Sequence, residues 1–168
     1  ERGAAMSSPA ADPPEPALAM PSRPVAWQQV GAHRVRTVDD CVEWQINGPM
    51  SLSELQAIER HHLDVMDQYG YWMALVDCEH AGGLEPVARR YVAEQARLHP
   101  NRIAMSALYG CSPTVVALST LVCRAVKLFS GKLHPVEICS DEASARACLA
   151  AFRKTHPGVP RAKRPTTH

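Results

Sequence analysis

The clearest hydrophobic patterning in the chain lies between residues 33 and 153. His33 to Val38 alternates weakly, Asp39-Asp40 makes a polar tip, and Cys41 to Asn47 alternates cleanly. Val42, Trp44 and Ile46 share one face of that second run, with Glu43 and Gln45 on the other. A period of two on both sides of a polar tip predicts an antiparallel hairpin, and Gly48-Pro49 is expected to stop its second strand. The period then changes. Leu52, Leu55, Ile58, His62, Val65, Met66 and Tyr69 recur at helical spacing. Ser51 with Glu54 three residues later forms a capping box, and Gly70 suits the left-handed residue that ends the helix.

Three strand-helix units follow. Tyr71 to Val76 is a short apolar run that predicts a buried strand, and Asp77 through Gly82-Gly83 is expected to be a loop. Pro86 suits the first turn of a helix that runs to about His99. Ile103 to Leu108 predicts another buried strand, and Ser112 with Pro113 opens a helix running to Ser130. Val136 to Cys139 is a last short strand, and Ser140-Asp141-Glu142 places anions at the positive end of a final helix. The order β-β-α-β-α-β-α-β-α implies an α/β domain with four helices on a mostly parallel sheet of four to five strands. Its N-terminal hairpin adds an antiparallel edge.

Composition divides the chain. Residues 1–29 carry six prolines among alanines and serines and are expected to form a disordered tail, with Trp27 as a residue able to dock on the domain. The domain is expected over 30–153, and a second disordered tail, basic in character, over 154–168. The formal net charge is +1, but residues 153–168 hold five Lys or Arg and no acid. Between residues 30 and 152 there are eleven basic and fourteen acidic residues, so a mildly acidic domain precedes a basic end. That end, with Arg153, Lys154, Arg161, Lys163 and Arg164, lacks interleaved aromatics and is read as solvated, not as a nucleic-acid site. No apolar run is long enough to span a membrane. Six cysteines without a C-x-x-C pair suit small buried residues in a reducing, cytoplasmic setting.

The strand WMALVDC ending at Asp77, the helix P-V-A-R-R-Y and the step ALYGCSPTVVALSTLVCRAV together resemble a STAS domain, in particular its SpoIIAA-like branch of anti-sigma-factor antagonists. The resemblance covers roughly residues 33–153 and implies a bacterial-type regulatory module that binds proteins and catalyses nothing. Phosphorylatable members carry a D-S-S-G-like sequence after this strand. Here the corresponding place reads Glu79-His80-Ala81-Gly82-Gly83, and no hydroxyl residue occurs between Asp77 and Tyr91. The resemblance therefore implies partner binding without the usual phospho-serine switch. It points to Gly82, Gly83, Arg89, Arg90 and Arg97 as the partner-binding surface.

The helix 113–130 carries Val115, Leu118, Val122, Val126 and Phe129 as one stripe. Val116, Leu121, Cys123, Ala125 and Leu128 extend its apolar character around most of the circumference. Such a helix is covered on two sides. Its outer face, marked by Val116, Thr120, Cys123 and Lys127, is expected to dock on a second subunit, giving a homodimer. The alternative is that a lipid or other apolar ligand sits beside it. A third reading is a redox or metal site built on Cys78 and Cys111 with His80, although the paired spacing of structural zinc sites is missing. Asp77 is more simply an acceptor for loop amides. His61 and His62 diverge by about 100° on their helix and so cannot readily share a metal, which leaves His62 at the core boundary and His61 exposed. No cofactor is implied by any motif.

Overall fold

The computed structural model describes residues 25–99, 103–130 and 136–155. The elements run β1 (Gln28–Val30), β2 (His33–Val38), β3 (Cys41–Met50), α1 (Leu52–Tyr69), β4 (Trp72–Leu84), α2 (Pro86–Leu98), β5 (Ala104–Tyr109), α3 (Pro113–Ser130), β6 (Val136–Ile138) and α4 (Glu142–Thr155). The six strands form one sheet in sequential order. β1, β2 and β3 are antiparallel neighbours, and β3 to β6 are parallel.

Because the parallel strands advance in one direction across the sheet, right-handed crossovers place α1, α2 and α3 on the same face. Alternation along the strands separates the two cores. Cys41, Met73, Leu75, Met105 and Ala107 point towards α4 and pack with Tyr71, Ala145 and Leu149. Val42, Ala74, Val76 and Cys78 face the other way, towards the three crossover helices. On α1 the buried residues are Leu55, Ile58, His62 and Val65, the face that periodicity selects. Its ends are also as expected. Ser51 and Glu54 complete the capping box, and Gly70 closes the helix at φ 80°.

Four expectations are corrected. Gly48-Pro49 does not end β3, which continues to Met50 through two register shifts against β4. A bulged strand tolerates a proline there because its ladder is already locally interrupted. The segment Asp77 to Gly83 is not a loop but the second half of β4, paired through His80, Ala81 and Leu84 with Asn47, Gly48 and Met50. Glycine makes this possible, since a Cβ on Gly82 would lie 2.6 Å from Pro49 N. At the N-terminus, β1 adds a sixth strand that includes two residues assigned to the tail. Trp27, just before it, docks under the Arg36 guanidinium, 4.3 Å from the ring centroid. At the C-terminus, α4 runs on through Lys154 and Thr155. The proposed tails otherwise fall on residues 1–24 and 156–168, outside the described residues.

Arg153, grouped by sequence with the basic tail, belongs to the fold. Its Nε and Nη2 donate to Asp40 Oδ2 and Oδ1 at 2.9 and 2.5 Å, and Tyr71 Oη donates to Asp40 Oδ2 at 2.6 Å. Two turns earlier, Arg146 binds Glu43, which Arg36 also holds. These two arginines tie α4, the sole helix seen on its face among the described residues, to the β2–β3 hairpin.

Candidate functional site: an apolar cavity under three helices

Between the sheet and α1, α2 and α3 lies a cavity of about 380 Å3. The sheet supplies Trp44, Ile46, Trp72, Val76, Cys78, Ala81, Gly83, Ser106 and Leu108. α1 supplies Leu55, Glu59 and His62, α2 Arg89, Tyr91, Val92, Gln95 and Ala96, and α3 Val115, Leu118, Ser119 and Cys123. Its position follows from residue size. Across this stretch β4 and β5 present Ala74, Val76, Cys78 and Ser106 to the helices, small side chains that cannot fill the layer. The extended β4 forms one wall, and Gly83 at φ 88° brings its backbone close to Leu118 Cδ1. Among the described residues Leu118, Ser119 and Cys123 of α3 face the cavity, while Leu121 is 60% exposed on the opposite side.

One wall is a stack of three rings. His62 lies between Trp44 and Trp72, with centroid separations of 5.0 and 4.1 Å and interplanar angles of 29° and 18°. Trp44 Nε1 donates to His62 Nε2 at 3.2 Å, so the imidazole carries its proton on Nδ1. This arrangement orients both indoles along the cavity and buries the imidazole between them. Across the cleft between α1 and α2, Tyr91 Oη donates to Glu59 Oε2.

The sequence-derived candidates are scattered. Gly82 is exposed on the β4 edge and pressed against Gly48-Pro49, whereas Gly83 lines the cavity. Arg89 also lines it, Arg90 projects to solvent, and Arg97 pairs with Glu94 on the helix surface at 2.6 Å. On α3, Val116 is half-buried and accepts a bond from the exposed Thr120 hydroxyl at 2.8 Å. Cys123 reaches the cavity, and Lys127 is exposed. The two groups of residues thus form parts of a wall and of an outer surface, not one patch.

Cys78, midway along β4, and Cys111, two residues past the end of β5, do pack into one cluster. Burial pushes both thiols up from their ordinary value, Cys78 the further of the two. His80 does not join them: among the described residues no three His, Cys, Asp or Glu side chains converge as a ligand set. Asp77 Oδ1 accepts a hydrogen bond from Glu79 N at 3.1 Å, as expected of it. Facing it in register, the Tyr109 phenol is pushed up to about 12 by burial and by the Asp77 carboxylate. His61 is half-buried, not exposed, and meets Thr37 Oγ1 at 3.2 Å through Nδ1. Sequence reasoning missed the Trp44–His62–Trp72 stack. Its signal was present, because strand alternation puts Trp44 on the face of Val42, and helical spacing puts His62 on the buried face of α1.

The chain has a SpoIIAA-like fold, an α/β sheet with an antiparallel N-terminal hairpin. It is similar to the crystal structure of an uncharacterized protein from Shewanella loihica, described as a DUF3478 family member with a SpoIIAA-like fold. The two share 15% identity at a TM-score of 0.50, over 78% of this chain and 99% of that one. No protein-family model matches the sequence, and no curated protein matches it. No helix among the described residues is long and apolar enough to cross a membrane.

Proposed function

We propose that this SpoIIAA-like domain is a non-catalytic binding module that holds an apolar small molecule between its sheet and α1, α2 and α3. The cavity carries the reading. Its volume of about 380 Å3 falls in the range of small-molecule sites, and its wall combines aromatic and aliphatic side chains with a few polar groups. The space is open to solvent on one side, so without a ligand water must fill it. Water is a poor filling for a wall with few polar partners, and an apolar molecule is a good one. Two of the polar groups in the wall are engaged structurally, Glu59 by Tyr91 and His62 by Trp44, which favours holding a ligand over transforming it.

The test is a filled cavity. Leu118→Trp puts an indole where Leu118 Cδ1 already approaches the Gly83 backbone. A naphthalene-based fluorescent dye should bind the wild-type chain with one-to-one stoichiometry. The variant should lose at least about tenfold in affinity while retaining its far-ultraviolet spectrum. Equal dye binding by a folded Leu118→Trp variant would remove the cavity from the account.

A second reading, recognition of a protein or a second copy of the chain, is favoured by one observation. Val87 and Leu98 on α2 and Leu121 on α3 are 47%, 51% and 60% exposed, beside the solvent-exposed Arg90. Sedimentation as a dimer that Leu121→Asp converts to monomer would support it. A monomer at all concentrations would leave the homodimer without support.

A further inference from the structure

The chemical character of the ligand can be argued from the charges at the cavity. Two charged side chains reach it, Glu59 from α1 and Arg89 from α2. Their situations differ. Glu59 is half-buried, and its carboxylate already accepts a hydrogen bond from Tyr91 Oη. Arg89 lies on the exposed part of the wall, and among the described residues no carboxylate pairs with it. Its neighbours on the helix do not compete for the position. Arg90 points to solvent, about 100° away around the helix, and Arg97 is held by Glu94. An apolar cavity edged by one guanidinium that pairs with no carboxylate among the described residues favours a molecule with one negative group and an apolar body.

We propose that the occupant is a long-chain monocarboxylate, with its hydrocarbon against the Trp44–His62–Trp72 wall and its carboxylate on the Arg89 guanidinium. This rests on the reading of the cavity as an apolar-ligand site. The planar fork of the guanidinium matches a carboxylate with two parallel N–H···O bonds, and one such cation balances one such anion. A phosphate dianion would leave charge unbalanced at this rim. An amine would have to take Glu59 from Tyr91, losing a bond already made. An alcohol of the same length fills the cavity equally but leaves the guanidinium to water.

The experiment titrates the purified full chain with dodecanoate, dodecanol and dodecylamine, below their micelle concentrations, and reads heat or intrinsic fluorescence. Dodecanoate should bind about tenfold tighter than dodecanol, the scale of a charge-assisted hydrogen-bonded pair at a half-open site. Arg89→Gln should bring the acid-to-alcohol ratio to about one. Dodecanol binding with no preference for the acid, a preference that survives in Arg89→Gln, or a preference for the amine would each overturn the carboxylate while leaving the cavity reading intact. Binding of none of the three would overturn both.

Discussion

Replacing Arg153 by Met tests how α4 is fastened to the sheet. The substitution keeps an unbranched stem of similar length and removes the guanidinium. Asp40 is 4% exposed and would then keep only the Tyr71 hydroxyl from the three donated bonds described above. Breaking a fully buried pair costs about 3–5 kcal/mol, and an exposed pair is worth about 0–1 kcal/mol. The Arg153 side chain is 50% exposed while Asp40 is buried, so the expected loss is about 2 kcal/mol. For a chain of this size that is a fall of about 4–8 °C in melting temperature. The pH dependence gives a second handle. Burial raises the Asp40 carboxyl, but the Arg153 and Tyr71 hydrogen bonds outweigh it and hold the net value below the usual one. A carboxyl depressed by folding adds stability that is complete above its unfolded value, about 3.9, and is lost as pH falls through the lower folded value. Urea unfolding of wild type and Arg153→Met should therefore differ at pH 7 and converge below about pH 4. A double-mutant cycle with Asp40→Asn isolates the pair. A loss under about 0.5 kcal/mol at pH 7, or one undiminished at pH 3, would refute the clasp.

Other outcomes follow from single contacts. Gly83→Ala should cost about 1–2 kcal/mol in thermal unfolding, because φ 88° strains any L side chain and its Cβ would sit 3.3 Å from Leu118 Cδ1. An unaltered melting temperature would mean that the strand does not take that turn. Tyr91→Phe removes the donor to Glu59 and should lower stability by about 1 kcal/mol, checked by the same melts. Burial pushes the Cys41 thiol up to about 12 and the Cys78 thiol higher still. Both should resist iodoacetamide at pH 8 in the native protein and react on unfolding. Labelling of either thiol with the fold intact, read by peptide mass spectrometry, would contradict their burial.

Most of the architecture was legible because its signals are local. The capping box at Ser51 and Glu54, Gly70, and the prolines opening α2 and α3 each act within one helical turn, and tertiary packing did not override them. The errors arose where a distant segment decided. Asp77 to Gly83 is polar and glycine-rich, which signals a loop, but β3 bulges beside it and supplies a partner for the ladder. No pattern inside either segment announces that pairing. Arg153 reads in sequence as one of a run of cations, since its partner Asp40 lies 113 positions away. The cavity was legible in part. The sequence places Leu118 on the inner stripe of α3 and Cys123 on its outer face, but both line the cavity on the sheet side. Its floor of small residues and its ring stack required the register of β3, β4 and β5, which the sequence does not print.

The most direct test is an isotope-filtered NOE spectrum of the labelled chain with unlabelled dodecanol, a ligand that does not depend on Arg89. The account predicts cross-peaks from the alkyl chain to the Trp44 and Trp72 indoles and to the Leu118 methyls, the groups that line the cavity. Cross-peaks confined to Leu121 and Leu98 on the outer faces of α3 and α2, or none at saturating ligand, would contradict it.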